Sequence, residues 1–452
     1  MMEAAADMKI DKAWAAGAAL CLASTTHVQA QTAELDALQL GISPSANEAA
    51  STEVSDWGKG LRLEAWAQQY STRVGATTPA ETTSNARAVA DYRREWNLSS
   101  DTRAWLSDRL EASNQANGQP STWRNALREA AVSWRLGSAD KPAYVDAGRI
   151  VMKAGSAAGY NPTDFFKANA VVTQTTLDPA ALRENRLGTV MLRGQTVQPW
   201  GSFTAAAVPR LSRCDSRDSF DDAPAALGLE RTNRHAAVYL KASPDVASGL
   251  SLDVSALARE ADQPRLGLSS SWLMSDAWVA SAEWTGSHDV RLPLPGQTTQ
   301  DRSWTNRWAA NVSWTAPWGM SFTLEHDYAG DALNRTGWQA WQQAQATNPA
   351  LYGAPLGALI DARVDQQEPL VQRSWYARAM WLDAIKGVDL SAFVRRNAYD
   401  RSRLWQVDAS WHLSEHNSLS VLAGRFEGGP STQYGMAPQR NYVSVYLTHY
   451  LH

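Results

Sequence analysis

The sequence predicts an all-β protein: an antiparallel transmembrane β-barrel of about 18 strands, with 16 as the alternative, short periplasmic turns and long extracellular loops. Three observations lead there. Apolar and polar residues alternate with a period of two along most of the chain. Tryptophan recurs at the ends of the alternating stretches, with 21 Trp against 7 Phe in 452 residues. The joins between stretches alternate between short and long.

Composition narrows the classes first. The chain is 44% hydrophobic with a mean hydropathy of −0.39, and no run of 18 apolar residues occurs beyond its first thirty positions, which excludes helical membrane spans. Charged residues make up 19%, below the usual quarter or so, and the net charge of −4 offers no basic face for nucleic acid. Lysine supplies only 8 of the 42 cations, so arginine dominates.

Taken in order, residues 1–30 read as a cleaved signal peptide that exports the chain to the cell outer membrane. Lys9 and Lys12 precede the short apolar stretch Ala13–Ala23, and Val28-Gln29-Ala30 offers a small-x-small cleavage site. Met8 reads as the true start. Removing Cys21 leaves Cys214 alone, so neither an internal disulfide nor a cysteine-based metal site is expected. Residues 31–60 are polar and Ala/Ser-rich, a periplasmic tail or small plug. The barrel is expected over 61–452.

Four stretches show the barrel pattern most clearly. Trp278, Ala280, Ala282 and Trp284 share one face, as do Trp308, Ala310, Val312 and Trp314. Trp375, Ala377, Ala379 and Trp381 form a third comb, and Trp405, Val407, Ala409 and Trp411 a fourth. A strand of about ten residues with one apolar face suits a tilted bilayer crossing. Trp at both ends of that face suits the two interfaces, where an amphipathic ring rests at headgroup level. On this pattern strands begin near residues 61, 89, 101, 123, 143, 185, 201, 235, 250, 265, 277, 304, 320, 373, 388, 403, 419 and 441. The last strand approaches Tyr450-Leu451-His452 rather than an aromatic end, an imperfect form of the signal read by the barrel-assembly machinery.

The joins supply an independent signal. Short ones fall near 99–100, 137–141, 198–201, 243–249, 275–276, 317–319, 384–387 and 414–417. Longer ones cover 75–88, 113–122, 156–184, 212–234, 286–303 and 327–372, with 261–264 and 400–402 short where the rule wants length. Transmembrane barrels are connected this way. A soluble Trp-rich sandwich or propeller would also alternate, but a propeller should show a blade repeat, and none is present.

Eighteen strands enclose more lumen than side chains can fill. The loop Ser156–Glu184 carries Asn161-Pro162, Asp178-Pro179 and the pair Phe165-Phe166, so it is expected to be structured and to fold inward as a constriction. The pore-lining candidates are Arg149 and Lys153, placed together on Val145–Lys153, with Asp164, Arg183, Glu184, Arg186, Arg193 and Arg210. Arginine presents a rigid fork of donors to carboxylate, sulfate or phosphate, so such a ring would favour anionic solutes. Alternatively Asp146, Asp164, Asp178 and Glu184 neutralise these cations in structural pairs. Arg94, Arg103, Arg109, Arg128 and Arg135 extend the basic character along the early strands, with Glu95, Asp108 and Glu129 close by.

The segment Ala147-Gly148-Arg149-Ile150-Val151-Met152-Lys153-Ala154-Gly155, the turn Asn161-Pro162-Thr163-Asp164 and the following Arg186-Leu187-Gly188 resemble large Gram-negative barrels of the alginate-export type, departing from them at Ile150 and Ala154. The resemblance spans roughly 145–210. It implies an eighteen-stranded outer-membrane barrel with an arginine-rich lumen that conducts an acidic polysaccharide.

Signals for bond chemistry are weak. None of the eight histidines joins a Glu in a zinc-binding helix motif, and Gly-x-Ser-x-Gly, Walker and Gly-x-Gly-x-x-Gly motifs are missing. Glu325-His326-Asp327 is the best acid–base trio, yet neighbours on a strand point to opposite faces. No catalytic residue, metal or cofactor is therefore expected. The expected function is a porin or export conduit for small polar or anionic solutes or an acidic polysaccharide. Its partners would be outer-membrane lipids and lipopolysaccharide. An outer-membrane barrel hydrolase and a soluble secreted binding protein are the alternatives.

Overall fold

Each alternating stretch becomes a strand bonded to its sequence neighbours, and the first strand bonds to the last. The computed structural model describes residues 60–72, 82–114, 122–138, 141–171, 176–211, 227–260, 262–297 and 302–451. The expected signal peptide, almost all of the expected tail, and Cys214 lie outside the described residues. The strands are β1 (Gly60–Thr72), β2 (Thr82–Asn97), β3 (Thr102–Asn114), β4 (Thr122–Ser138), β5 (Lys141–Ile150), β6 (Thr189–Gln198), β7 (Gly201–Val208), β8 (Ala237–Pro244) and β9 (Leu250–Arg259). They continue as β10 (Arg265–Ser275), β11 (Trp278–Val290), β12 (Arg302–Thr315), β13 (Met320–Ala329), β14 (Arg373–Ile385), β15 (Val388–Asn397), β16 (Arg403–Ser414), β17 (Asn417–Glu427) and β18 (Gln439–Leu451). All pairings are antiparallel, and β1–β18 closes the barrel. Closure leaves no unpaired edge, which is what allows a sheet to stand in lipid. The expected fold class and the count of eighteen both hold, and sixteen falls away.

The wall is inside-out relative to a soluble protein. On β12 the even positions Trp304, Asn306 and Ala310 are exposed, while the odd positions Thr305, Arg307, Ala309 and Asn311 are buried. The same parity carries Leu266, Leu268 and Trp272 outward on β10 and Val443, Val445 and Leu447 outward on β18. Polar side chains are therefore the packed interior, and the apolar face awaits an apolar solvent. No helix among the described residues is long and apolar enough to cross a membrane.

Two boundaries differ from the sequence pattern. β2 begins at Thr82 rather than near 89, because Thr82 and Ser84 are exposed polar residues on its outer face and so carry no apolar signal. β5 stops at Ile150 instead of running on to Lys153, so the next strand starts at Thr189 rather than near 185. Arg128 on β4 is the extra residue of a bulge between the pairs Ser107↔Glu129 and Asp108↔Leu127, which turns two successive side chains inward.

Among the described residues, four helices lie in the long joins: α1 (Pro179–Glu184), α2 (Leu229–Thr232), α3 (Arg335–Thr347) and α4 (Pro349–Asp365). Asn334 caps α3 by accepting from the Gly337 amide, and Asn348 caps α4 by accepting from that of Leu351. The α3–α4 hairpin buries Trp338, Trp341 and Leu356 against Leu333, Leu370 and Val371. Trp341 donates to the Pro293 carbonyl, Trp338 to Asp400 and Gln342 to the Ser431 carbonyl. These bonds tie the hairpin to three other joins at the same mouth of the barrel.

Candidate functional site

The loop 151–188 is the element that shapes the lumen. At its root Ile150 turns inward among Trp105, Met152, Phe165 and Met191. The Val151 amide donates to Glu129, and Arg186 donates to the Met152 carbonyl. The chain then crosses to the far wall, where two buried carboxylates receive it. Glu283 on β11 accepts from the Ala157 amide (2.6 Å), the Thr163 hydroxyl (2.6 Å), the Thr163 amide (3.2 Å) and Asn161 Nδ2 (3.2 Å). Glu325 on β13 accepts from three successive amides, Ala158 (2.7 Å), Gly159 (2.9 Å) and Tyr160 (2.8 Å). Arg395 on β15 donates to the Gly159 carbonyl at 3.2 Å.

The approach is close enough to demand glycine. A Cβ on Gly159 would stand 2.6 Å from the Tyr376 ring, and one on Gly155 would stand 2.3 Å from the Glu283 carboxylate. Farther along, Asp178 pairs with Arg378 (3.2 Å) and accepts from Tyr376, while Gln406 on β16 accepts from the Leu177 amide and donates to Thr176. The described parts of loop 151–188, 151–171 and 176–188, thus reach across the lumen from β5 to β16, the inward folding expected from its turns and paired aromatics.

The candidate residues divide sharply. Lys153 pairs with Glu184 at 2.6 Å and Asp164 with Arg186 at 2.6 Å, all four within the loop. Arg183 donates to the carbonyls of Ala154 and Gly155. Arg193 faces inward and pairs with Asp146 at 2.7 Å. Arg210 lies past the end of β7 and makes an exposed pair with Glu260. Asp146, Asp164, Asp178 and Glu184 each take a cation, as one of the two expected arrangements had it.

Arg149 is a correction. Its cross-strand neighbours are Ala130 and Val190, so it shares the outward register of Val132, Trp134 and Leu192. It is nevertheless 2% exposed, because its guanidinium is covered by the segment around α2 and donates to the carbonyls of Gly188, Leu227 and Gly228. Lys153 is a second correction: β5 has ended, so the two cations do not alternate on one strand.

Of the early basic residues named from sequence, Arg109 and Arg128 enter one cluster, joined by Arg62, Arg87, Asp91 and Glu111, which the sequence analysis did not single out. Asp91 on β2, fully buried, receives Arg62, Arg109 (3.1 Å) and Arg128 (2.9 Å). Glu111 on β3 lies between Arg109 (3.4 Å) and Arg87 (3.7 Å), and Arg87 stacks over the Trp66 ring at 4.4 Å. Strand parity places Arg87, Asp91, Arg109 and Glu111 on one inner face, so that grouping was available. The bulge that brings Arg128 to Asp91 has no sequence mark. Glu283 carries no sequence signal, and Glu325, named only within an acid–base trio, gives no sign of its role, because the loop groups that both accept lie more than a hundred positions away.

Above the loop, the α3–α4 segment is fastened by charge. Asp331 accepts from Arg307 (2.8 Å) and Arg363 (2.7 Å). Burial alone would raise its pKa, but these two guanidiniums hold it well below the usual carboxylate range. Glu368 is buried too, yet Lys167 at 3.0 Å, with Arg307 and Arg363, keeps it low, and it accepts from the Tyr160 hydroxyl at 2.6 Å. Burial in turn lowers Lys167 and raises Tyr160. Among the described residues no group of His, Cys, Asp or Glu is arranged to hold a metal ion.

The chain matches no protein-family model and no curated protein. Among solved structures it is similar to a triple mutant of the Rhodopseudomonas blastica porin, at 9% identity over 86% of this chain and 99% of that one, with a TM-score of 0.38. It is also similar to the outer membrane protein OprD from Pseudomonas aeruginosa, at 10% identity over 87% and 93%, TM-score 0.48. Pseudomonas aeruginosa OccK11 (OpdR) gives 10% over 87% and 95%, TM-score 0.48. None of these three is an alginate exporter, and the alginate-export likeness finds no support in them.

Proposed function

We propose that the protein is an outer-membrane channel for small polar solutes, selective for anions, with loop 151–188 as its constriction. The supporting observation is the asymmetry of the lumen. The loop is clamped to β11–β16 by Glu283, Glu325 and Gln406, and the passage we propose runs by the opposite β1–β4 wall, where the partly exposed Arg62 and Arg87 stand beside the buried Arg109, Arg128, Asp91 and Glu111. Charged walls at close quarters set which ions pass, and arginine keeps its charge at any working pH. The outward apolar face suits lipid, and the polar interior suits water. Passage by diffusion needs no cofactor. A loop fixed across the bore fits small solutes, so the polysaccharide conduit implied by the alginate-export resemblance is not carried forward.

Reconstitution in planar bilayers under a KCl gradient tests this. The folded barrel should give discrete conductance with a reversal potential on the chloride side, and the double variant R62Q/R87Q should move it by about 10 mV or more toward neutrality. A folded preparation without conductance would remove the channel. An unmoved reversal potential would remove the anion selectivity while leaving the channel.

A further inference from the structure

On the outer wall, two cavities meet end to end. The upper one, about 350 Å³, is lined by Trp375, Ala377, Val394, Arg396, Arg401 and Arg403. The lower, about 530 Å³, shares Ala377 and Val394 and continues down the wall over Ala379, Ala392, Leu324 and Trp314. The first is basic and aromatic, the second apolar.

Parity and register place both on the lipid side. Trp375, Arg396, Arg403 and Glu427 form one cross-strand row on β14–β17, with Ala377, Val394 and Trp405 one step below. Arg396 and Arg403 stand directly opposite each other, a repulsive arrangement unless an anion lies between them. Glu427 takes Arg403. Among the described residues no side chain or carbonyl accepts from the Arg396 or Arg401 guanidinium, and both residues are exposed. Trp375 and Trp405 mark this level as the outer interface, where headgroups lie.

The geometry points to a binding site for a phosphorylated glycolipid of the outer leaflet, its phosphate held by Arg396, Arg401 and Arg403 and one acyl chain laid in the groove below. Guanidinium forks match phosphate oxygens bidentately, and the apolar groove begins where the basic pocket ends, as the parts of such a lipid require. This rests on the outer-membrane reading proposed above.

Native mass spectrometry of the intact barrel in detergent, titrated with bisphosphorylated lipid A, tests it. Wild type should retain one lipid molecule, and R396Q/R401Q should weaken retention at least tenfold. Dephosphorylated lipid A should bind wild type and variant alike and weakly, and millimolar inorganic phosphate should not displace the lipid. A filled groove, A379L/A392L, should weaken lipid A as well while leaving all three arginines in place. Equal retention by wild type and R396Q/R401Q would overturn the site, as would displacement by millimolar phosphate or a wild-type dimer that the substitutions dissociate. Conductance of the same preparations separates the outcomes: a conducting barrel indifferent to lipid A loses only this site, whereas a silent one loses the channel.

Discussion

The two sides of the lumen use the same chemical groups for opposite ends. On β1–β4, carboxylates face guanidiniums: Asp91 and Glu111 are surrounded by Arg62, Arg87, Arg109 and Arg128. On β11 and β13, Glu283 and Glu325 take no cation at ion-pair distance among the described residues and accept backbone amides of loop 151–188 instead. A carboxylate surrounded by side-chain cations keeps the wall a charged surface. One met by a run of amides fixes another segment of chain in space. The first side is therefore a charged patch on the wall, and the second holds a segment of chain across the lumen.

Breaking the second side should have the largest effect. The double variant E283Q/E325Q puts amide NH₂ groups against amide donors that need acceptors. Hydrogen bonds to a charged group are worth about 1.5–3 kcal/mol each, and leaving buried donors unmade adds to the loss. The loop should detach while the wall stays closed, since every strand ladder is untouched. The expected outcome is a larger and noisier single-channel conductance, by about twofold, with heat-modifiable mobility preserved. Conductance indistinguishable from wild type would mean that the carboxylates do not position the constriction.

Much of this architecture was legible before any coordinates. Period-two alternation places sixteen of eighteen strand starts close to where they fall, because the barrel's outer face is apolar and its inner face polar on strand after strand. It fails at Thr82–Ala88, where the strand departs from that pattern, and at Ile150, where β5 leaves the wall to enter the lumen. Site residues were harder. Pairs such as Lys153–Glu184 and Arg186–Asp164 lie close in sequence and could be anticipated. Glu283 and Glu325 could not, since nothing local distinguishes a carboxylate that will accept a distant amide from one that faces water. The run Val145–Lys153 suggests one inward face for Arg149 and Lys153, but β5 ends at Ile150. The parity of Arg149 with Val145 and Ala147 sends it outward, and only a covering loop lets a cation reside there.

Acid should act next, and on the mouth rather than on either wall. Asp331 and Glu368 both have depressed pKa values in the folded protein. Their contribution is present above the ordinary carboxylate pKa of about 4 and is lost as pH falls below it toward the folded values. The groups facing them are Arg307, Arg363, Lys167 and Tyr160. The α3–α4 hairpin should thus resist protease at pH 7 and become cleavable near pH 3, with the barrel intact. E368Q should shift that transition to higher pH. If the hairpin is equally protected at both pH values, charge does not hold it.

The smallest effect sharpens the comparison most directly. If selectivity reflects the protein's total charge, any buried arginine near the constriction should matter, Arg149 included. If it reflects the face each arginine occupies, R149Q should leave the reversal potential within about 2 mV of wild type, under the conditions in which R62Q/R87Q moves it by about 10 mV. What R149Q should change is local. The carbonyls of Gly188, Leu227 and Gly228 lose donors worth about 1 kcal/mol or more apiece, so the segment 227–233 should become the new protease-sensitive site. A shift in reversal potential comparable to that of R62Q/R87Q would mean that charge on the outer rim reaches the permeant ion through the low-dielectric wall, and that parity alone does not decide which arginines select.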